Sequence, residues 1–406
     1  MQSSGLRGGV AVLLGAALLV GCATAAKPTV PDNAAGAGAT VDSAGQGGTS
    51  QVAGGSGSLS QVRRYQSTAS VGDFIEVEID KQARTITYNN RTNGQSASAV
   101  PYTLDDRGVY VITADPNAHL QRAIELDGYA LIMDVAKAGP NKDSRALAIG
   151  ATTQPISIAD LNGHAMTMMQ FRTSNGGMEV GNVRTHVSDR MLAVDAQSYW
   201  PLGASSRGDT AFHLGGPGSL QLDEVSGAAD YLTITESRNG HTSTAYIFKT
   251  GQGLAIDMNN GNMVMVDQPQ STAFDPSSAG LYHALIYQKR NSRRVSEGQV
   301  EPGTAEVFEV EVAINDQGHL GMKRDGATVE DVDLIPVSEA DYLTGPNKLD
   351  ASRCAGLFTY RKPVGAGFQD VFVVFMGHGM LVSSFTPSDQ NAGEYQYFYG
   401  AAIKQP

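Results

Sequence analysis

The sequence predicts a mainly β protein, built from antiparallel sandwich-like or barrel-like units with few short helices. Apolar and charged residues alternate along residues 75–79 and 308–314, which is typical of strands with one buried face. Asn-Gly or Asp-Gly pairs lie between such runs, for example at Asn93-Gly94 and Asp325-Gly326, and they tolerate the positive φ that tight hairpins need. Short strands at this spacing favour antiparallel sheets over a parallel α/β fold.

Composition excludes several classes of protein. The chain has 406 residues, a formal net charge of −12 and two cysteines. The negative charge argues against nucleic acid as a partner, because phosphate binding requires a concentrated basic face. Two cysteines exclude a disulfide scaffold and a four-cysteine zinc site.

Residues 1–21 are predicted to be a secretory signal. Arg7 and the free amine precede an apolar run over residues 10–20, which is shorter than the about 20 residues that cross a bilayer as a helix. The run ends in Leu19-Val20-Gly21-Cys22. This ending resembles the signals of bacterial lipoproteins, in which Leu, a small or branched residue, and Gly or Ala precede an obligatory Cys. A plain secretory signal that contains a Cys, or a transmembrane anchor, are the alternatives.

The resemblance implies that Cys22 is a lipid attachment site. Its sulfur would receive a diacylglyceryl group, cleavage would precede it, and its new amine would be acylated, for example with palmitate. Ala23, rather than Asp, follows Cys22, which in such lipoproteins implies export to the outer membrane. The membrane is therefore an expected partner, through a lipid anchor.

The segment 22–60, after the signal, is expected to be a lipidated Cys followed by a flexible linker. It consists mostly of Ala, Gly, Ser, Thr and Gln with isolated large apolar residues, so it cannot bury enough surface to offset its ordering entropy. At about 5–6 Å times the square root of its length, such a chain reaches roughly 35 Å. A disordered binding segment is the alternative.

The remaining sequence contains further strand and hairpin signals and few helix signals. Residues 371–376 are continuously apolar, which predicts a strand buried on both faces. Asn260-Gly261 separates two apolar runs and predicts a hairpin. Asp115 and Pro116 predict a short helix that reaches Leu126, and residues 336–343 predict another turn or two.

Matching segments suggest that β units are repeated. The strand–turn–strand sequence centred on Gln252 matches the one centred on His378. Two longer matches pair 128–172 with 253–289 and 75–79 with 308–312. We therefore predict β domains at 61–158, 159–275 and 276–406; common strand–turn–strand patterns without a true repeat are the alternative.

Motifs for catalysis, metals or cofactors are scarce. No two of the eight histidines lie within four residues of each other, so no local zinc-binding pair exists. No Ser lies in a Gly-x-Ser-x-Gly elbow. Residues 257–262 resemble a calcium loop, but Gln268 stands at the acidic twelfth position. We predict no catalytic residue, no metal site and no cofactor, although a site assembled from distant strands remains open.

Two remaining features have a structural and a functional interpretation. One basic cluster is either a solvated hairpin end or a surface that contacts lipid phosphates or an acidic glycan; it consists of Lys289, Arg290, Arg293 and Arg294. Cys354 has no partner if Cys22 is lipidated, and we expect it to be a small buried residue. A nucleophilic role would require a nearby base.

Together these features favour a non-enzymatic lipoprotein of the bacterial outer membrane whose β units bind a partner. A protein, a glycan and a small apolar ligand all remain candidates, and the periplasmic or surface orientation is open. An envelope hydrolase with a site assembled from distant residues, and a purely structural surface lipoprotein, are the alternatives. Convergent carboxylates, or a His beside a Ser, would favour the enzyme; an apolar cavity would favour ligand binding.

Overall fold

Antiparallel strands form nearly all of the regular structure in the described part of the computed structural model, which confirms the predicted fold class. The described residues are 62–139, 144–163, 165–172, 178–188, 191–199, 210–212, 219–224, 230–238, 241–258, 261–269, 271–290, 293–296, 299–301, 304–340, 355–364, 367–386 and 396–405. The predicted signal, the linker, Cys22 and Cys354 lie outside these residues.

The first sheet is a closed barrel, in which each strand pairs with the next and the last pairs with the first. Its strands are β1 (Val62–Ala69), β2 (Phe74–Asp80), β3 (Thr85–Asn90), β4 (Ser96–Leu104), β5 (Tyr110–Ile112), β6 (Leu120–Leu126), β7 (Ala130–Ala138) and β8 (Ser144–Thr152). The predicted alternation places Ile75, Val77 and Ile79 inside the barrel. Tyr65 and Tyr88 also fill the interior, as eight-stranded barrels allow.

The second sheet has nine strands and follows a 3-10 helix, η1 (Ile158–Leu161). Its strands are β9 (Ala165–Arg172), β10 (Met178–Ser188), β11 (Met191–Tyr199), β12 (Thr210–Phe212), β13 (Ser219–Glu224), β14 (Leu232–Arg238), β15 (His241–Thr250), β16 (Gly253–Met258) and β17 (Gly261–Asp267). The first strand, β9, pairs with the last, β17, and the sheet edges are β12 and β13.

The third sheet also has nine strands and follows η2 (Pro276–Ser278). Its elements are β18 (Gly280–Arg290), β21 (Thr304–Ile314), β22 (His319–Arg324), β23 (Ala327–Asp333), β24 (Ile335–Pro336), η3 (Val337–Glu339), β25 (Leu357–Val364), β26 (Gly367–Met376), β27 (Gly379–Thr386) and β28 (Gln396–Lys404). A small hairpin of β19 (Arg293–Ser296) and β20 (Gln299–Glu301) is inserted after β18. Again the first strand pairs with the last, β18 with β28.

The three sheets share one topology, so the predicted repeat is confirmed at the level of strand order. Each is an up-and-down meander whose first and last strands pair; the barrel closes fully, whereas the other two are open between their fourth and fifth strands. The turns at Gln252 and His378 both join the third-last and second-last strands of their sheets. The turn of Tyr129, between β6 and β7, holds the same position in the barrel. Whether each sheet folds as an independent domain within 61–158, 159–275 and 276–406 stays a prediction.

The prediction of a helix from Asp115 to Leu126 is wrong. The Asp115 carboxylate accepts hydrogen bonds from the backbone N–H groups of Asn117, His119 and Leu120, at 2.7–3.0 Å, and holds a local turn. Such side-chain bonds compete with a helix, and the chain then continues as β6, which pairs with β7. In the second predicted region, η3 forms a single turn, and residues 341–343 lie outside the described part.

The Asn-Gly and Asp-Gly pairs have mixed outcomes. Asp325-Gly326 forms a two-residue turn, in which Arg324 pairs with Ala327 and both turn residues have positive φ, 51° and 78°. The hairpin predicted at Asn260-Gly261 exists, because β16 pairs with β17, and Gly261 already belongs to β17, where it pairs with Met258.

A common hydrophobic core joins the three sheets. Phe74, on the outer face of the barrel, stacks on Tyr246 of the second sheet with ring centroids 4.4 Å apart. Phe171 of the second sheet stacks on Tyr399 of the third at 5.4 Å. The sheets are therefore packed against one another through aromatic contacts, and the sites between them are built by more than one sheet.

Candidate functional site

A groove with a volume of about 750 Å³ lies between the second and third sheets. Pro269 and Phe274 line it from the segment that connects the two sheets, and Phe358 and Phe375 line it from β25 and β26. We call it the aromatic groove, after Phe274, Phe358 and Phe375. Its volume lies within the range of about 300–1,000 Å³ found for small-molecule sites.

The three phenylalanine rings pack edge to face. Their centroids are 5.5–5.9 Å apart, and the ring planes are inclined by 69–77°. This is a favoured geometry for aromatic pairs. Phe358 is buried, whereas Phe274 and Phe375 are half-buried. The groove therefore has an ordered aromatic wall before any ligand enters.

The connecting segment is held in place by local bonds and by close packing. Asp275 caps η2, because its carboxylate accepts the N–H of Ser277 at 2.9 Å. The Tyr282 hydroxyl donates to the carbonyl of Ser278 at 2.6 Å. A Cβ at Gly356, whose φ is 81°, would lie 2.8 Å from Cδ of Pro269, so glycine allows this close approach.

The three equivalent hairpin turns meet at one end of the groove. The Tyr129 hydroxyl donates to the carbonyl of Met376 at 2.7 Å, and its ring lies edge to face with His378 at 5.6 Å. Gly251 approaches so closely that a Cβ there would lie 2.7 Å from the Tyr129 ring. Gly251, Gln252 and Gly377 line the groove, so its end is built from the repeated feature of the fold.

A charged cluster lies where the barrel meets the third sheet. The Arg122 guanidinium binds the Glu309 carboxylate at 2.6 Å, Asp134 at 3.1 Å and the carbonyl of Val307 at 2.7 Å. His283 lies 3.3 Å from Glu309. The hydrogen bond with His283, together with Arg122, lowers the pKa of Glu309 to about 2. These groups neutralise one another, which indicates a structural contact.

A buried polar cluster lies where the barrel meets the second sheet. Asp257 on β16 accepts a hydrogen bond from the Thr68 hydroxyl of β1 at 2.8 Å, and burial raises its pKa well above the usual value. Asn262, directly opposite on β17, donates to the carbonyl of Thr68 at 3.3 Å. Asp257 and Asn262, the two ends of the sequence that resembles a calcium loop, therefore lie opposite each other on paired strands that are packed against the barrel.

The four histidines whose side chains the structure describes have separate partners. His119 contacts a carbonyl oxygen, His283 contacts Glu309, and His378 contacts the Tyr129 ring. His319 lies between two aspartates, at 2.7 and 2.8 Å. Within the described ranges, no group of three His, Cys, Asp or Glu side chains could hold a metal ion.

The remaining residues singled out in the sequence cannot be placed in a site. Cys22 and Cys354 lie outside the described residues. The basic cluster has its backbone in β18 and β19, and its side chains lie outside the described part: Lys289, Arg290, Arg293 and Arg294. Among the described helices, none is long and apolar enough to span a membrane. The sequence analysis did not predict the aromatic groove, because its rings come from distant segments. The only local signal was the apolar pattern of the two strands that carry Phe358 and Phe375.

Comparisons with known proteins identify no family. No family model and no curated protein matches the chain. Among solved structures, a double mutant of the vaccine antigen transferrin-binding protein B from Haemophilus parasuis has 10% identity and a TM-score of 0.24, over 85% of this chain and 76% of that one. A single mutant of that antigen has 10% identity and a TM-score of 0.27, over 83% and 66%.

An intact transferrin-binding protein B with N and C lobes has 12% identity and a TM-score of 0.23, over 83% of this chain and 68% of that one.

Proposed function

We propose that this chain is an outer-membrane lipoprotein, anchored through Cys22, that binds a small organic ligand in the aromatic groove and catalyses no reaction. The observation that supports binding is the groove itself, about 750 Å³ with an ordered wall of phenylalanine rings. Sites of this size that lie between packed units and combine apolar walls with a few polar groups are typical of ligand binding.

The barrel is a less suitable place for a ligand. Buried aromatic and aliphatic side chains fill its interior. Near one end of the barrel, the buried Glu125 accepts hydrogen bonds from the hydroxyls of Tyr65, at 2.5 Å, and Tyr110, and lies 3.0 Å from the amine of Lys81. The polar groups of that region are therefore bonded to one another rather than available to a ligand, and the groove is the better site.

Binding is favoured over hydrolysis because nucleophilic catalysis by Ser requires a base within hydrogen-bond reach. The hydrogen bonds of His119, His283 and His319 go to a carbonyl oxygen or to carboxylates, and none of these three side chains bonds a Ser hydroxyl. The carboxylates of Asp134 and Glu309 are bound by arginines.

The anchor is tested by replacing each cysteine in turn. In cells fed a labelled palmitate analogue, the wild-type chain should take up label, and Cys22→Ala should abolish it because the acceptor sulfur is gone. Cys354→Ala is the matched control and should retain the label. Equal labelling of Cys22→Ala and wild type, or an unlabelled wild type, would show that the anchor is wrongly assigned.

The groove is tested with para-fluorobenzyl alcohol, a neutral aromatic probe followed by fluorine NMR. It should bind the mature lipoprotein in nanodiscs more than it binds empty nanodiscs. Phe375→Ala should weaken binding because it removes one wall ring. Phe368→Ala is the control, since Phe368 lies on the same strand, is 61% exposed and does not line the groove. Equal effects of the two substitutions would contradict a site in the groove.

A further inference from the structure

We infer that Tyr129 limits the length of the ligand in the aromatic groove, because its side chain separates the groove from a second, apolar cavity between the three sheets. This inference rests on the proposed function and names the residue that determines which ligands fit. The observations that carry it are the position of the two cavities and the packing of Tyr129 between them.

The second cavity, which we call the inner cavity, is small and apolar. Its volume is about 30 Å³, and all three sheets line it, for example with Ile132 of the barrel, Val264 of the second sheet and Ile403 of the third. Among its described lining residues, only Tyr129 and Thr250 have polar side chains. Apolar cavities stay dry even where one water would fit, so this space suits the carbon atoms of a ligand rather than water.

The inner cavity adjoins the end of the groove at which the hairpin turns meet. Gly251 lines both cavities. In the turn between β26 and β27, Met376 lines the inner cavity and the next residue, Gly377, lines the groove. Phe375, which belongs to the aromatic wall, directly precedes Met376. A ligand that rests on the aromatic wall is therefore close to this end of the groove.

The side chain of Tyr129 packs between these turns. A Cβ at Gly251 would lie 2.7 Å from the Tyr129 ring, and a Cβ at Gly377 would lie 2.9 Å from its hydroxyl oxygen. The hydroxyl donates to the carbonyl of Met376 at 2.7 Å, which fixes the ring in this position. Tyr129 therefore lies directly behind two residues that line the end of the groove.

The composition of the turns makes Tyr129 the side chain that closes this end. Gly251 and Gly377 contribute only backbone to the groove, and Gln252, which also lines it, is exposed. Tyr129 is half-buried and lines the inner cavity on the other side. A smaller residue at position 129 would join the two spaces, and the groove would then continue into apolar surroundings.

The test uses a series of ω-(para-fluorophenyl)alkanols that begins with para-fluorobenzyl alcohol. Fluorine NMR titration measures their binding to the mature chain with Cys22→Ser, because without a lipid anchor no membrane is present to absorb apolar probes. Each added methylene that is buried should tighten binding up to roughly fourfold. In the wild-type groove this gain should stop at the chain length that reaches Tyr129. In Tyr129→Ala it should continue for at least one further methylene.

Three variants show what sets the limit. Tyr129→Phe keeps the ring without its hydroxyl bond and should keep the wild-type limit. The double variant Tyr129→Ala/Ala255→Val should restore that limit, because Ala255 is buried on β16 and its larger replacement fills the inner cavity. Phe368→Ala is the control, since Phe368 is exposed and lines neither cavity. Tyr129→Leu, which retains apolar packing, replaces Tyr129→Ala if that variant does not fold.

The outcomes separate this inference from the proposed function. If para-fluorobenzyl alcohol binds in a Phe375-dependent way but the smaller residues at position 129 leave the limit unchanged, Tyr129 does not set ligand length and the groove still binds ligands. A longer limit that persists in the double variant would show that the chain does not enter the inner cavity, which also overturns the inference. If no probe of the series binds the wild-type groove, both proposals fail.

Discussion

Replacing Asp257 with Asn should make this protein more stable at neutral pH. Oδ1 of Asp257 accepts the Thr68 hydroxyl at 2.8 Å, whereas its buried Oδ2 has no hydrogen-bond partner within the described part of the chain. Oδ1 of Asn262, on the directly paired residue, is in the same situation. A buried acceptor that lacks a donor costs free energy, whereas a protonated carboxyl at position 257 is itself a donor. Asn at position 257 would supply a donor without binding a proton.

The dependence of this stability gain on pH follows from the direction of the pKa shift of Asp257. Burial raises the pKa of Asp257 in the folded protein well above its ordinary value of 3.8. The stability associated with this group is therefore fully present below the unfolded pKa and is lost as pH rises toward the folded pKa, by about 1.4 kcal/mol per pH unit. Since Asn does not titrate, the advantage of Asp257→Asn over the wild type should grow with pH, by at most that slope, until pH reaches the folded pKa.

Urea unfolding of the mature chain, followed by the circular dichroism of its strands, measures this difference. The comparison uses Cys22→Ser as the common background, so that no acyl chain is present, and covers about pH 5 to 7. Asp106→Asn is the control, because it removes one carboxylate at an exposed position. A difference between Asp257→Asn and the wild type that is flat with pH, or a less stable variant at pH 7, would refute the reasoning.

Three further substitutions test other contacts by the same unfolding assay. Glu309→Gln should lower the free energy of unfolding by about 2 kcal/mol at pH 7; because the pKa of Glu309 is lowered to about 2 by His283 and its arginine partners, this loss should shrink as pH falls from about 4.5 toward 2. Gly326→Ala should cost about 1–2 kcal/mol because φ is 78° there, whereas Gly321→Ala, with no positive φ and equally open surroundings, should not destabilise. Tyr129→Phe should cost about 1 kcal/mol by removing the hydroxyl bond that joins two of the hairpin turns. Equal effects of the two glycine replacements, a Glu309→Gln loss that does not change with pH, or a neutral Tyr129→Phe would each contradict its own prediction.

The aromatic groove shows why a site is harder to predict than a strand. Phe358 and Phe375 lie on paired strands, β25 and β26, whereas Phe274 lies in the segment before η2. Each residue on its own is consistent with an ordinary core position, and only the packing of the connecting segment against the third sheet brings the rings within 5.9 Å of one another. Cys22 is the opposite case, since a contiguous motif predicts its role, which stays a prediction because Cys22 lies outside the described residues.

The sequence by itself determined the features that depend on neighbouring residues. Alternation along β2 and β21 predicts strands because successive side chains of a strand point to opposite faces. Asp325-Gly326 predicts its turn because positive φ is a property of those two residues. Matching strand patterns indicated the repeat for the same reason.

Only the tertiary structure decided the features that depend on distant partners. The segment after Asp115 has local helix signals, but pairing with β7 provides hydrogen bonds that make residues 120–126 a strand. Closure of the first sheet depends on the pairing of β1 with β8, whereas the other two sheets stay open between their fourth and fifth strands. The buried state of Asp257 exists because the barrel packs over β16. Each of these outcomes arises from contacts between segments far apart in the chain, whose free energy no local pattern contains.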